Sequence, residues 1–339
     1  MADVVVVGAG IVGASIGYHA ARLGADVTIV DRGMPGCGAT GESFGWIGAS
    51  EPGTGPGGAL RAAALREYRR LEDEVPDVRV RWSGSLSWGG AEPPLEPGRH
   101  LVGAEEAAAI EPNLRTPPSR AVHIPGDGAV DPQAVTDALV TAARTRGARL
   151  VTGTGATALR LVGGRVAGVD TTGGFLEAGT VVLAGGAEMA VLCAPLGVTV
   201  PVAPSPAILL RLAGPADLVR TLVATPDVEV RAGRDGELLA PIAYNGEATA
   251  AELTRPAERA RDRIAAMFRG AQDVRLLSAR VGVRPMPADG HPLIGPLVPG
   301  AYLAVMHSGV TLAPVAGRLV AEEVVHAVEA PELRGCRPR

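Results

Sequence analysis

An unbroken apolar run, Val4-Val5-Val6-Val7, is the first strong pattern in the chain and predicts a strand buried on both faces. Ile16, Ala20 and Leu23 then recur at helical spacing up to Gly24, and a second buried run, Val27 to Val30, ends at Asp31. A helix is predicted from Ala59 to Glu74, with Leu60, Ala64, Tyr68 and Leu71 on one face. Val78 to Trp82 and Ser85 to Trp88 alternate like two half-buried strands about Gly84, and Ala104 to Ile110 reads as a short helix ended by Glu111-Pro112. Asp131 can cap a helix that starts on Pro132 and buries Val135 and Leu139.

Strands follow at Arg149–Val151, Thr157–Leu161, Val166–Thr171 and Phe175–Ala178, separated by glycine turns. Thr180 to Ala184 is another buried run, and it meets Gly185-Gly186. Pro201, Pro204 and Pro206 predict a crossover between domains. Val228–Ala232 and Glu237–Pro241 form a hairpin about Gly233 to Gly236. The rest reads as a helix from Pro256 to Met267, a strand Ala279–Pro285, a loop Pro287–Pro296, a strand Ala301–Met306, and a last helix entered through His307-Ser308-Gly309-Val310-Thr311. The stretches 51–58 and 91–98, rich in proline, are predicted as a mobile segment and an exposed connection.

Chemistry enters at the first turn. Gly8-Ala9-Gly10-Ile11-Val12-Gly13 follows the first strand directly and opens the first helix. Gly8 allows a tight turn, Gly10 lets backbone approach a pyrophosphate, and Gly13 lets helix and strand pack closely. Phosphate is favoured at the helix N-terminus, where N–H groups are unpaired and the macrodipole is positive. Asp31, eighteen residues beyond Gly13, suits a ribose hydroxyl. The whole order predicts a dinucleotide, and by itself does not separate FAD from NAD. The later Gly/Ser/Thr-rich loop Gly36 to Ile47 carries Phe44, Trp46 and Ile47, which a cofactor would give something to cover.

The 339 residues suffice for two domains or one large interrupted one. A net charge of −4 without any basic run argues against a nucleic-acid surface, and no apolar stretch reaches membrane-spanning length. Every cation is arginine, so no lysine can form a Schiff base. Cys37, Cys193 and Cys336 are scattered, as reduced thiols in a cytoplasmic protein would be. The six histidines show no metal spacing, so no metal site is expected.

Taken together, Val4–Gly13 with Asp31-Arg32, Thr40–Ile47, Asp127–Pro132, Val181–Ala187, Val283-Arg284-Pro285 with Asp289-Gly290, and Gly309–Pro314 resemble the D-amino-acid oxidase superfamily of flavoproteins, which includes glycine oxidase and monomeric sarcosine oxidase. The resemblance spans nearly the whole chain. It implies an α/β fold with a Rossmann-like FAD-binding domain (1–75, 123–204 and 276–339). Interleaved with it would be an α+β substrate domain on a mixed, mainly antiparallel sheet (76–122 and 205–275).

By the same resemblance FAD would contact Gly8, Gly10, Ile11, Val12, Gly13, Asp31 and Arg32, then Thr40, Gly41, Ser43, Phe44 and Gly45. Ala184, Gly185 and Gly186 would approach it, and Ser308, Gly309, Val310 and Thr311 would face the flavin. Arg284 would clamp a substrate carboxylate, for which a planar guanidinium is suited. The alternative is a structural pairing of Arg284 with Asp289 or a backbone carbonyl. His307, Tyr244 and Trp46 are further candidates for the pocket. Gly282 stands where sarcosine oxidase-like relatives attach flavin through cysteine, so FAD should be noncovalent. Residues 203–208 lack the family's Arg-Gly-Gln pattern, and with no lysine for oxygen activation the acceptor is O2 or another carrier. The implied reaction is oxidation of the C–N bond of an amino acid or amine. The alternatives are a catalytic subunit that passes electrons to a partner and a flavin-binding protein without catalysis.

Overall fold

The computed structural model describes residues 2–48, 55–90 and 97–338; parts of the two predicted proline-rich connections, 51–54 and 91–96, lie outside the described residues. The strands of the first half are β1 (Asp3–Val7), β2 (Asp26–Val30), β3 (Trp46–Ile47), β4 (Ser85–Ser87), β5 (His100–Val102), β6 (Ala121–Ile124), β7 (Gly128–Ala129), β8 (Arg149–Val151), β9 (Ala156–Val162), β10 (Arg165–Thr171), β11 (Gly174–Glu177) and β12 (Thr180–Leu183). Those of the second are β13 (Val202–Ala213), β14 (Leu222–Ala224), β15 (Glu229–Ala232), β16 (Glu237–Ala243), β17 (Arg275–Pro287), β18 (Leu293–Val298) and β19 (Ala301–Val305). The helices are α1 (Ile11–Arg22), α2 (Gly58–Glu74), α3 (Ala104–Ile110), α4 (Pro132–Thr145), α5 (Met189–Cys193), α6 (Ala250–Met267) and α7 (Gly309–His326).

A six-stranded sheet, ordered β18-β19-β12-β1-β2-β8, is parallel except where β18 meets β19. The valine run of β1 explains its central place. Val4 and Val6 face the core formed with α1, α2, α4 and α7, while Val5 and Val7 face the core beneath β10 and α5. Each buried valine stabilises the sheet by about 1.5–3 kcal/mol. Helices α1 and α7 cross closely because Gly317 leaves room for Ser15, whose Oγ donates to the carbonyl of Ala313 at 2.7 Å.

A second, eight-stranded sheet runs β17-β13-β16-β15-β14-β4-β6-β5 and is antiparallel except for β14 beside β4. Its own core lies under α6, around Ile208, Leu210, Leu212, Val230, Leu238 and Phe268. The fold is therefore the mixed α/β arrangement expected. Two strands run across the expected borders and pair within the second sheet: β6, which spans residue 123, and β17, from residue 275 to 287.

The predicted crossover at residues 201–206 is a strand. Pro204 and Pro206 lie inside β13, in the stretch paired with β17 alone; pairing with β16 starts only at Ala207. Proline is tolerated there because one side of the strand needs no ladder donor. Helix α6 starts at Ala250, earlier than predicted, because Thr249 and Glu252 form a reciprocal capping box ahead of Pro256. The segment 78–82 makes only a bridge, Arg81 to Ala129, and β18 takes the last residues, 293–296, of the predicted 287–296 loop. No helix among the described residues is long and apolar enough to cross a membrane. The thiol of Cys37 is exposed, and those of Cys193 and Cys336 are buried.

Candidate functional site

The carboxyl ends of β1, β2, β12 and β19 meet where the strand order reverses, with β2 on one side of β1 and the much later β12 on the other, the crevice in which open α/β sheets bind ligands. Gly8 ends β1 with φ +106°, and a Cβ there would meet the backbone of Ala184 and Gly185 at the end of β12. A Cβ on Gly13 would fall 1.9 Å from the Gly8 carbonyl oxygen. The close turn and the close helix are thus both obligatory.

Helix α1 has no acidic residue in its first turn and no side-chain cap on Gly10. Ala14 is the first residue whose N–H bonds inside the helix, to Gly10. The Ile11 N–H instead donates to Thr40 Oγ1 at 3.1 Å. That hydroxyl keeps its own proton to donate to an anionic oxygen, and Val12 and Gly13 present their N–H groups beside it. Asp31 ends β2, and its carboxylate accepts from Ala9 N at 2.7 Å and Gly33 N at 2.8 Å. Those bonds fix its plane, and further lone pairs remain for a ribose. Arg32 forms an exposed ion pair with Glu188 at the rim.

At the far side α7 supplies a second N-terminus. Leu312 is its first residue bonded internally, to Ser308, which leaves the N–H groups of Gly309, Val310 and Thr311 outside the helical ladder. Thr311 Oγ1 donates to the Trp46 carbonyl at 3.1 Å, and Tyr68 donates its hydroxyl to the Val310 carbonyl at 2.6 Å. Two helix N-termini, a glycine turn and an oriented carboxylate make a donor and acceptor set that fits a dinucleotide.

The loop from Thr40 to Trp46 lies between the two sheets. Ser43 Oγ accepts from Gly45 N, and the indole of Trp46 donates to Asp127 Oδ2 at 3.0 Å, where Ser85 Oγ also donates. Three arginines from β17, β13 and β15 of the second sheet reach this loop. Arg211 donates to the Gly41 carbonyl, Arg280 pairs with Glu42, and Arg231 donates to the Phe44 carbonyl. Arg231 also donates to the Val130 carbonyl at 2.8 Å; burial pulls its pKa down to about 10, and Arg211 and Arg81 add repulsion. Its ring neighbour is Phe44, 5.4 Å away. Sequence reasoning did not single out Arg231. The alternation of Val228 and Val230, both buried, with Glu229 and Arg231 could have revealed it.

Arg284 projects from the same face of β17 as Gly282, which abuts Glu42. Its Nε donates to the Ser205 carbonyl at 3.2 Å and its Nη2 to Ser205 Oγ at 3.0 Å. The backbone-carbonyl pairing considered from sequence is therefore present, with Asp289 instead turned to His291 N. His307 lies near enough to feel both Arg284 and Arg61; burial first, then these two cations, lower its pKa. Arg61 in turn donates to Ser308 Oγ at 3.2 Å. The structure thus gathers Arg284, His307 and Trp46 around the end of α7. Tyr244 is not among them: it packs against the second core, on the α6 side of the sheet.

A family model described as FAD dependent oxidoreductase matches residues 3–323. The chain is 28% identical over 361 residues to a glycine oxidase of Geobacillus kaustophilus, covering 95% of this chain and 92% of that protein. It is 32% identical over 269 residues to a D-amino acid dehydrogenase of Cereibacter sphaeroides, covering 76% of this chain and 59% of that protein. The crystal structure of glycine oxidase from Geobacillus kaustophilus superposes with a TM-score of 0.86 at 25% identity, over 99% of this chain and 98% of that one. L-amino acid deaminase from Proteus vulgaris shares the fold, with a TM-score of 0.87 at 21% identity over 98% and 91% of the two chains.

Proposed function

Because the chain belongs to the FAD-dependent oxidoreductase family, we propose that it oxidises the carbon–nitrogen bond of an amino acid or related amine. Bound FAD supplies the hydride acceptor. The substrate's α C–H bond breaks with its electron pair leaving as hydride, while the nitrogen lone pair forms a C=N bond. The resulting iminium loses an N–H proton to solvent, and the imine adds water to give a carbonyl compound and ammonia or an amine.

The observation that carries the reading is Arg284. Its guanidinium is anchored along one edge by Ser205 and lies beside His307 and the N-terminus of α7. A positive, oriented edge suits a carboxylate and repels a free cation. Asp31, Thr40, Val12 and Gly13 would hold the adenosine ribose and pyrophosphate, and Gly309 to Thr311 the flavin end. Little acid–base machinery is required once the amine is neutral; orientation and a charge clamp do the work of positioning. FAD would be bound noncovalently, since Gly282 offers no thiol. The electron acceptor is O2 or another carrier. The glycine oxidase and D-amino acid dehydrogenase relatives bracket that choice by their names.

The test is anaerobic bleaching of the flavin by a panel of glycine, D- and L-amino acids and simple amines. Bleaching by amino acids is expected. A flavin untouched by the whole panel, yet reduced by dithionite, overturns the proposal.

A further inference from the structure

We infer that Glu229 sets substrate specificity: its carboxylate receives a cationic group that the substrate carries several bonds beyond its reacting carbon, which makes basic amino acids the preferred class. The inference rests on the reading of Arg284 as the carboxylate clamp.

Glu229 opens β15, where Val230 faces the second core and Glu229 and Arg231 face the other way. Arg231 identifies what lies on that side, since it reaches Phe44 and Val130 of the FAD half. Arg284 projects from the same side of the sheet. Arg231 pairs with Leu239, so Glu229 falls opposite Pro241, which continues through Leu209 to Arg280. Arg280 is four residues from Arg284 along β17, and β17 is three strands from β15. Before sheet twist that is about 13 Å along the strand and about 14 Å across. Two long side chains reaching inward shorten the gap, but a carboxylate and amine on one carbon do not bridge it. A cation at the end of a substrate side chain does.

The charge pattern agrees. Other acids on this face are paired, Glu237 with Arg211 and Glu42 with Arg280. Among the described residues Glu229 has no ion pair and no side-chain hydrogen bond. Solvent reaches it, yet surrounding protein desolvates the carboxyl and pushes its pKa up. An unpaired, partly desolvated carboxylate that solvent reaches is open to an arriving cation, which restores the partner it lacks within the protein.

The experiment uses FAD-loaded wild type, Glu229→Gln and Glu229→Arg, each checked for flavin content. Anaerobic reduction is measured with both enantiomers of lysine, ornithine, norleucine and glutamate, and binding with ε-aminocaproate against caproate through the flavin absorbance. Wild type should favour the cationic member of each pair by about tenfold, the scale of one charge-assisted hydrogen bond. Glu229→Gln should bring that ratio near one, and Glu229→Arg should shift preference towards glutamate. Equal handling of lysine and norleucine by wild type overturns the inference, as does an unchanged ratio in Glu229→Gln; in both cases amino-acid oxidation itself stands. Failure of every amino acid to reduce the flavin overturns the parent reading together with it.

Discussion

Thr40 Oγ1 lies 3.1 Å from the backbone nitrogen of Ile11, 29 residues earlier, and accepts its hydrogen bond in a buried setting. A loop residue thereby does for α1 what an N-cap side chain usually does, while Gly10 stays bare for a phosphate. Thr40→Ala should lower stability by about 1 kcal/mol and weaken FAD binding, and Thr40→Ser should restore both. Chemical denaturation and ultrafiltration of bound flavin measure the two effects. An alanine variant with wild-type FAD retention would show that the hydroxyl meets no phosphate oxygen.

The mode of flavin attachment follows from Gly282. Its α-carbon faces Glu42 so closely that a Cβ would lie 2.8 Å from the Glu42 Cβ. The loop occupies the place a tethering side chain would need. Acid precipitation should leave yellow flavin in the supernatant. Flavin retained in the pellet would reveal a covalent link.

Arg231 joins the halves. One buried guanidinium satisfies the carbonyls of Phe44, Ala232 and Val130. Arg231→Met keeps much of the stem but leaves the Phe44 and Val130 carbonyls without their donor. About 1–3 kcal/mol is expected for each buried acceptor left unpaired. A lowered thermal midpoint together with flavin loss is expected; a fall in stability with FAD affinity intact would separate the staple from the cofactor loop.

What the sequence made legible was whatever a short periodicity or a fixed spacing carries. Val4 to Val7 alternates between two cores, so the run could only be a central strand. Asp131 with Pro132 gave the start of α4 correctly, and Asp131 accepts from Ala134 N at 3.0 Å. The strand β13 was missed because Pro204 and Pro206 are strand breakers unless one side is unpaired, which only the register reveals. Tyr244, a candidate for the pocket, packs against the second core instead, because the face of a sheet is set by parity along the strand. Glu229 and Arg231 were overlooked for the same reason. Their importance lies in what packs against the sheet, and that partner is about 190 residues away, a separation only the fold closes.

His19 sits in α1 at 1% exposure, with neither ring nitrogen bonded to any described residue. Burial first, then Arg70, Arg22, Arg318 and Arg146, holds its pKa well below the usual histidine value. The unfolded chain takes up this proton near pH 6.5, whereas the folded chain stays neutral to much lower pH. The unfolded state therefore binds more protons in that window, and stability falls as pH drops below about 6.5, by up to about 1.4 kcal/mol per pH unit. His19→Leu should remove one proton's worth of that slope. Denaturant midpoints for both proteins between pH 7 and pH 5 decide it. Parallel curves would mean that His19 is protonated in the fold.

Arg284 decides between an amino acid and a plain amine. With Nε and Nη2 anchored on Ser205, the guanidinium can present its remaining donors in a fixed plane. Arg284→Lys keeps the charge but has neither the planar fork nor the anchoring edge, so the carboxylate would bind less well and the α-carbon would sit off line. Both affinity and the rate of flavin reduction should fall, because a misplacement on the scale of an ångström is enough to cost about a hundredfold. Arg284→Ala should cost more, since a desolvated carboxylate is then left without a partner. A competing carboxylate ligand should lose affinity in parallel, while an uncharged amine should change little. Rapid-reaction reduction of folded, FAD-loaded wild type and both variants provides the measurement. Near wild-type reduction of Arg284→Ala by an amino acid would remove the clamp, and recognition would then pass to the apolar contacts of Phe44 and Trp46, whose rings meet edge-on at 6.3 Å.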